Sequence, residues 1–245
     1  MVNRSDLIIN SIAFLDDVNK GHRQIEFLDK VSELGLHAFE VRREFLKNGE
    51  TELTEIRQEA DQKQIKLYFS VNEDLIVNNK INPNLATLFE EAEILGAPFI
   101  KLNIGDASQV SLVELESLKD ILDGPIGLRL ENNQTPGHAS LANCKHIMKL
   151  VEQAGLPIRF VFDTANWIWV SESIEEAREQ LEPVTSYLHC KNYQLEDGQP
   201  KIASYYDGLI DIEALEEQFS HLDAVAFEYP ASFEQLKADV ARYLG

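Results

Sequence analysis

The sequence predicts one (β/α)8 barrel, and three observations carry that prediction. Short β-rich apolar runs alternate with longer stretches of helical period from one end to the other, with no linker to break them. The length of 245 residues is close to the roughly 250 typical of such a barrel. No glycine-rich phosphate fingerprint follows the first run, where Asn10-Ser11-Ile12-Ala13 stands. The open doubly wound sheet, the other arrangement available to alternating strands and helices, therefore lacks its main signature. Residues 1–245 are expected to form this single domain.

The strand-like runs are Leu7 to Asn10, Ala38 to Arg42, Ile65 to Val71, Phe99 to Asn103, Ile126 to Glu131, Ile158 to Asp163, Thr185 to Cys190 and Ala224 to Glu228. Helices are expected near Gln24 to Leu34, Thr51 to Gln62, Pro83 to Leu95, Leu112 to Leu122, Ser140 to Ala154, Ile174 to Leu181, Ile212 to Gln218 and Phe233 to Tyr243. Gly35, Gly96 and Gly155 each follow an apolar helical stretch, where glycine closes a helix by taking the left-handed conformation. Pro98 and Pro157 then keep the chain out of helix before the next strand.

The charge balance, 22 basic against 42 acidic residues for a net of −20, repels phosphate backbones and anionic lipid, so nucleic acid and membrane surfaces are not expected partners. Much of the acid lies in helical stretches such as Glu50 to Asp61 and Glu172 to Glu182, on solvated outer faces. Cys144 and Cys190 are the only cysteines, which is no disulfide framework and fits a reducing compartment. Polar residues follow Met1 without a basic segment leading into an apolar run, so a cytoplasmic location is expected.

In a barrel, functional side chains gather where the strands end at the C-terminal face. The last four strands end in or next to Glu131, Asp163, His189 and Glu228, one βα unit apart in each case. Three carboxylates brought to one point would repel and force protons onto some of them unless a cation resolves the conflict. Three oxygen ligands and one imidazole, without thiolate, suit Mn²⁺, Mg²⁺ or Co²⁺ in a roughly octahedral shell, with Zn²⁺ as a further option. One divalent ion is expected. Its open positions would take vicinal oxygens of a polyol or keto-sugar, with the ion acting as Lewis acid on a carbonyl.

The motifs Leu130-Glu131-Asn132, Phe162-Asp163-Thr164, Leu188-His189-Cys190-Lys191 and Phe227-Glu228-Tyr229 resemble those of the xylose isomerase-like TIM barrels, within them the sugar phosphate isomerase/epimerase group. The resemblance covers the whole chain. It implies a metal-assisted proton transfer on a sugar, sugar phosphate or cyclitol. It also implies that Glu131 and Glu228 both bind metal and act as the acid/base pair, with Asp163 and His189 purely ligands. The sequence departs from the ketose 3-epimerases of that group at two substrate-contacting positions, where Asn166 replaces a histidine and Leu195 an arginine.

Lys191 shares strand parity with His189 and should face the same mouth. Glu40 and Arg42 share one parity on the second strand, and Glu40 resembles a substrate-contacting carboxylate of the family. Lys101 and Asn103 on the fourth strand offer polar contacts, Asn166 another, and Tyr68 and Trp167 aromatic walls for a sugar face. Arg129 and Arg159 should sit deeper in the barrel and need an acidic partner, for which Glu40 is the candidate. The leading reading is a metal-dependent isomerase or epimerase. The alternatives are a dehydratase of a cyclic polyol or keto-acid, or a catalytically silent ligand-binding relative, and homo-oligomerisation is left open. An endonuclease IV-like activity is disfavoured, since the chain has neither a histidine-rich cluster nor a basic surface.

Overall fold

A computed structural model describes residues 3–245. Met1 and Val2, where the reading of the chain's start begins, lie outside the described residues. Eight parallel strands form the barrel wall: β1 (Ile8–Asn10), β2 (Ala38–Arg42), β3 (Lys66–Val77), β4 (Phe99–Gly105), β5 (Gly127–Glu131), β6 (Arg159–Asp163), β7 (Thr185–Cys190) and β8 (Ala224–Phe227). Each pairs with the next, and β1 pairs with β8, which closes the cylinder.

The outer ring is α1 (Phe27–Glu33), α2 (Gly49–Lys63), α3 (Leu85–Leu95), α4 (broken into Leu112–Glu116 and Lys119–Leu122), α5 (Leu141–Ala154), α6 (Ile174–Leu181), α7 (Ile212–Glu216) and α8 (Phe233–Leu244). The expected glycine caps are present: Gly35, Gly96 and Gly155 have φ of 73°, 76° and 64°. Ser140, Ser173 and Ser232 cap the N-termini of α5, α6 and α8, each side chain accepting a backbone N–H of the first turn. Among the described residues no helix is long and apolar enough to cross a membrane.

Burial divides the core into two. The larger part fills the annulus between sheet and helices. The smaller is a plug inside the barrel, made of Ile8, Ala38, Tyr68, Phe99, Val161, Tyr187, Ala224 and Ala226. Side chains two residues apart on a strand share a face. The plug therefore dictates the next layer: Asn10, Glu40, Ser70, Lys101, Asp163, His189 and Glu228 each stand two positions after a plug residue, and all are buried. Seven polar or charged side chains are thus stacked on an apolar floor, at the end of the barrel where the strands finish.

Several expectations are corrected. β3 continues six residues past Val71 and turns into a short strand, Lys80–Ile81, that pairs back on it. Asn72, Glu73 and Asp74 read as loop, yet Leu75 and Ile76 beyond them are buried and hold the extension. Asn192–Glu196 and Gln199–Ala203 form an antiparallel hairpin after β7. Arg129 does not pair with Glu40. It donates to Asp223 at 2.9 Å, and its guanidinium lies 3.5 Å from the centre of the Phe99 ring, on the far side of the plug from Glu40. Arg159 is half-buried and reaches the Pro183 carbonyl.

Candidate metal centre

The strand ends deliver Glu131 from β5, Asp163 from β6, His189 from β7 and Glu228 from the residue after β8. Ladder register sets His189 level with Asp163 on one side and with Ala226, two residues before Glu228, on the other, while Glu131 is level with Val161. Glu131, His189 and Glu228 each offer a ligand atom, and these atoms lie within 4.8 Å of one another. His189 Nδ1 is 2.5 Å from Glu131 Oε1 and 3.4 Å from Glu228 Oε1. Its Nε2 faces the other way, 3.0 Å from Glu40 Oε2, and Asn10 donates to the same Glu40 oxygen at 2.5 Å.

Asp163 stands beside this trio. Its Oδ1 accepts from the backbone N–H groups of Ala165 and Asn166 at 3.0 and 2.8 Å, a turn that fixes the carboxyl. Its Oδ2 lies 2.7 Å from Lys191 Nζ but makes no well-aligned hydrogen bond. Three more cationic contacts complete the cluster. Lys101 Nζ donates to Glu131 Oε2 at 2.6 Å, Arg42 Nη1 to Glu228 Oε1 at 2.7 Å, and Lys191 Nζ to Glu228 Oε2 at 3.3 Å.

These contacts set the protonation states. Burial alone would raise the Glu131 carboxyl, but Lys101 and the His189 ring hold it down at about 2. Glu228 is likewise held well below the usual carboxylate range against its burial, by His189, Lys191 and Arg42. Asp163 goes the other way. Burial pushes it up to about 7, Lys191 pulls against that shift, and the charges of Glu228 and Glu131 add to it. Burial disfavours a charged His189, yet Glu40, Glu228 and Glu131 overrule it and push the imidazole well above its ordinary value.

The donor set fits a divalent ion. A metal-binding histidine commonly has a carboxylate at its second ring nitrogen, and Glu40 stands 3.0 Å from His189 Nε2, though without a well-aligned hydrogen bond. Oxygens of Glu131 and Glu228 share the space in front of Nδ1. Asp163 Oδ2 is a buried oxygen without an aligned donor.

A cavity of about 360 Å³ opens above the cluster, within the range of small-molecule sites. Of the residues expected to contact substrate, Arg42, Lys101, Asn166 and Lys191 line it together with Glu131 and Glu228. Three others do not. Glu40 is fully buried beneath His189, Tyr68 belongs to the plug, and Trp167 packs against Phe162 in the outer core. Glu40 is one step too deep on β2 to reach a ligand, because Arg42, two residues on, occupies the rim. The sequence reading misses Asn72 and Ile202, which also line the cavity. Asn72 comes with the unexpected extension of β3 and Ile202 with the hairpin after β7.

Neither a family model nor a curated protein matches the sequence. Solved structures do match in three dimensions. The probable 3-DHS dehydratase AsbF of Bacillus anthracis is 13% identical, with 98% of this chain and 99% of that one covered and a TM-score of 0.69. The IolI protein with a bound zinc atom is 16% identical over 98% and 95%, with a TM-score of 0.68. D-psicose 3-epimerase in the presence of D-fructose is 13% identical over 98% and 96%, with a TM-score of 0.67. At these identities the likeness is one of fold: the chain shares the (β/α)8 barrel of these structures over nearly its whole length.

Proposed function

We propose that this chain is a divalent-metal-dependent isomerase or epimerase of a sugar or sugar phosphate. The observation that carries the reading is the pair Glu131 and Glu228. Both are buried, both face His189 Nδ1, and both line the cavity of about 360 Å³ that opens over the cluster. Glu131, Asp163, His189 and Glu228 would hold the ion. When bound it would supply Lewis acidity to a substrate carbonyl, which acidifies the neighbouring C–H.

The remaining steps belong to the chain. Neighbouring cations favour the ionised form of Glu131 and Glu228, the form in which a carboxylate accepts a proton. They come from strands three places apart on the barrel wall, an origin that supports an approach of one carboxylate to each face of a substrate carbon. Proton removal by one and return by the other inverts that carbon. Lys101 and Lys191 are buried ammonium groups at the same cavity, and they would balance negative charge that develops on the substrate oxygens. Asn166 lines the cavity, and its amide nitrogen is already tied to the Asn132 carbonyl, so it would offer its oxygen to a hydroxyl.

One observation favours a dehydratase as the second reading. The Lys191 ammonium lines the cavity, 2.7 Å from Asp163 and 3.3 Å from Glu228, where its charge would stabilise an enolate oxygen or a departing hydroxide. The fold neighbour AsbF is named a probable dehydratase. Incubating the Mn²⁺-loaded protein in D₂O with a panel of ketoses, ketose phosphates and inososes separates the two. Deuterated isomers support the isomerase reading, an enone chromophore supports the dehydratase, and neither product from any compound contradicts both.

A further inference from the structure

We infer that the substrate carries a carboxylate, received by Arg42, Lys101 and Lys191; this rests on the functional reading above and adds the ligand's chemical class to it.

Three permanent cations in one small cavity are more than a neutral sugar needs. Hydroxyls are served by amides and hydroxyls, and the same cavity supplies those in Asn72, Asn103, Gln134 and Thr135. Buried lysine and arginine are rare unless paired with anions. Lys101 is 1% exposed, and of its three N–H bonds one has a partner, the Glu131 carboxylate. Lys191 faces two carboxylates, Asp163 and Glu228. Arg42 donates Nε to Glu44 and Nη1 to Glu228, and its Nη2 has no hydrogen-bond partner among the described residues. Donors are therefore left over on all three cations, each of which lines the cavity.

Charge counting points the same way. With a divalent ion bound, His189 would be a neutral ligand, and the carboxylates Glu40, Glu131, Asp163 and Glu228 would face Arg42, Lys101, Lys191 and the ion's two charges, one net positive charge in all. Glu44, the remaining acid on Arg42, is 31% exposed at the rim and screened by solvent. One anionic group on the ligand restores neutrality, and the Arg42 Nη2 left over from Glu44 and Glu228 can donate a charge-assisted hydrogen bond to it. A phosphate is disfavoured because none of the residues lining the cavity is a glycine, and glycine-rich turns commonly form the backbone cradle of a phosphate site.

The test uses two six-carbon ketoses with one skeleton, 2-keto-D-gluconate and D-fructose, which differ only in carboxylate against hydroxymethyl at C1. D-fructose 1-phosphate is the phosphate arm. Binding is read by calorimetry on the Mn²⁺-loaded protein. One charge-assisted contact predicts that the acid binds about tenfold or more tighter than D-fructose. Lys101→Met and, independently, Arg42→Gln should each shrink that ratio several-fold. Circular dichroism and Mn²⁺ affinity are measured on both variants, so the second stands in if the first fails to fold. Equal binding of acid and ketose overturns the inference, as does an undiminished ratio in both variants or a preference for the phosphate. If D-fructose binds without an acid preference, this inference falls and the sugar reading stands. If no probe binds, both fall.

Discussion

His189 Nε2 lies 3.0 Å from Glu40 Oε2, below the floor of the cavity and out of reach of any ligand in it. Glu40 therefore acts from behind the ring, as a charge partner without an aligned hydrogen bond, while Nδ1 faces Glu131 and Glu228. Such carboxylate partners typically contribute about 10–100-fold to metal affinity. Glu40→Gln should lose affinity in that range while the barrel still folds. Calorimetric titration with Mn²⁺ checks this, and unchanged affinity would show that the ring needs no such support.

Loading the site should stabilise the protein. Saturation at a hundred times Kd is worth about 2.7 kcal/mol for a ligand that binds only the folded state, and the rise in melting temperature on adding Mn²⁺ measures it. Asp163→Asn and His189→Ala should blunt that rise. If both variants bind the ion like the parent, neither residue is a ligand.

Metal-free protein should lose stability between about pH 5 and 8. The Asp163 carboxyl is raised to about 7 in the folded chain, above the ordinary value near 3.9. A group with a raised folded pKa contributes stability that is complete below its unfolded pKa and disappears as pH climbs through the folded one. His189, also raised, acts with the same sign from about pH 6.5 upward. Glu131 and Glu228 are lowered, so their opposite contribution is confined to more acid solution. Thermal melts in chelator across that range should slope downward, and Asp163→Asn should flatten the slope. A melting temperature that rises with pH would contradict these assignments.

The four strand-end side chains were legible in the sequence because parity and unit length are local properties. β7 and β2 run over the expected residues, and every other strand differs at its ends by one or two residues apart from β3. What the sequence hides is depth. Glu40 and Arg42 share a face of β2, and only the closed barrel shows that the first lies under His189 and the second at the rim. Tyr68 likewise falls in the plug, because Ser70 takes the next inward position above it. The ion pairs of Lys101 with Glu131 and Arg42 with Glu228 join residues 30 and 186 apart, and no local pattern announces them.

The claim that Glu131 and Glu228 move the proton is tested most directly by isotope exchange in Glu131→Gln and Glu228→Gln. An amide oxygen can still coordinate an ion but cannot accept a proton, so metal binding should remain measurable in both. Each variant, loaded with Mn²⁺ in D₂O and offered each epimer of a turned-over substrate in separate reactions, is read by mass spectrometry. The account predicts that exchange is lost from at least one epimer in each variant, and that the epimer affected differs between the two. Full deuterium incorporation from both epimers in either variant would contradict it.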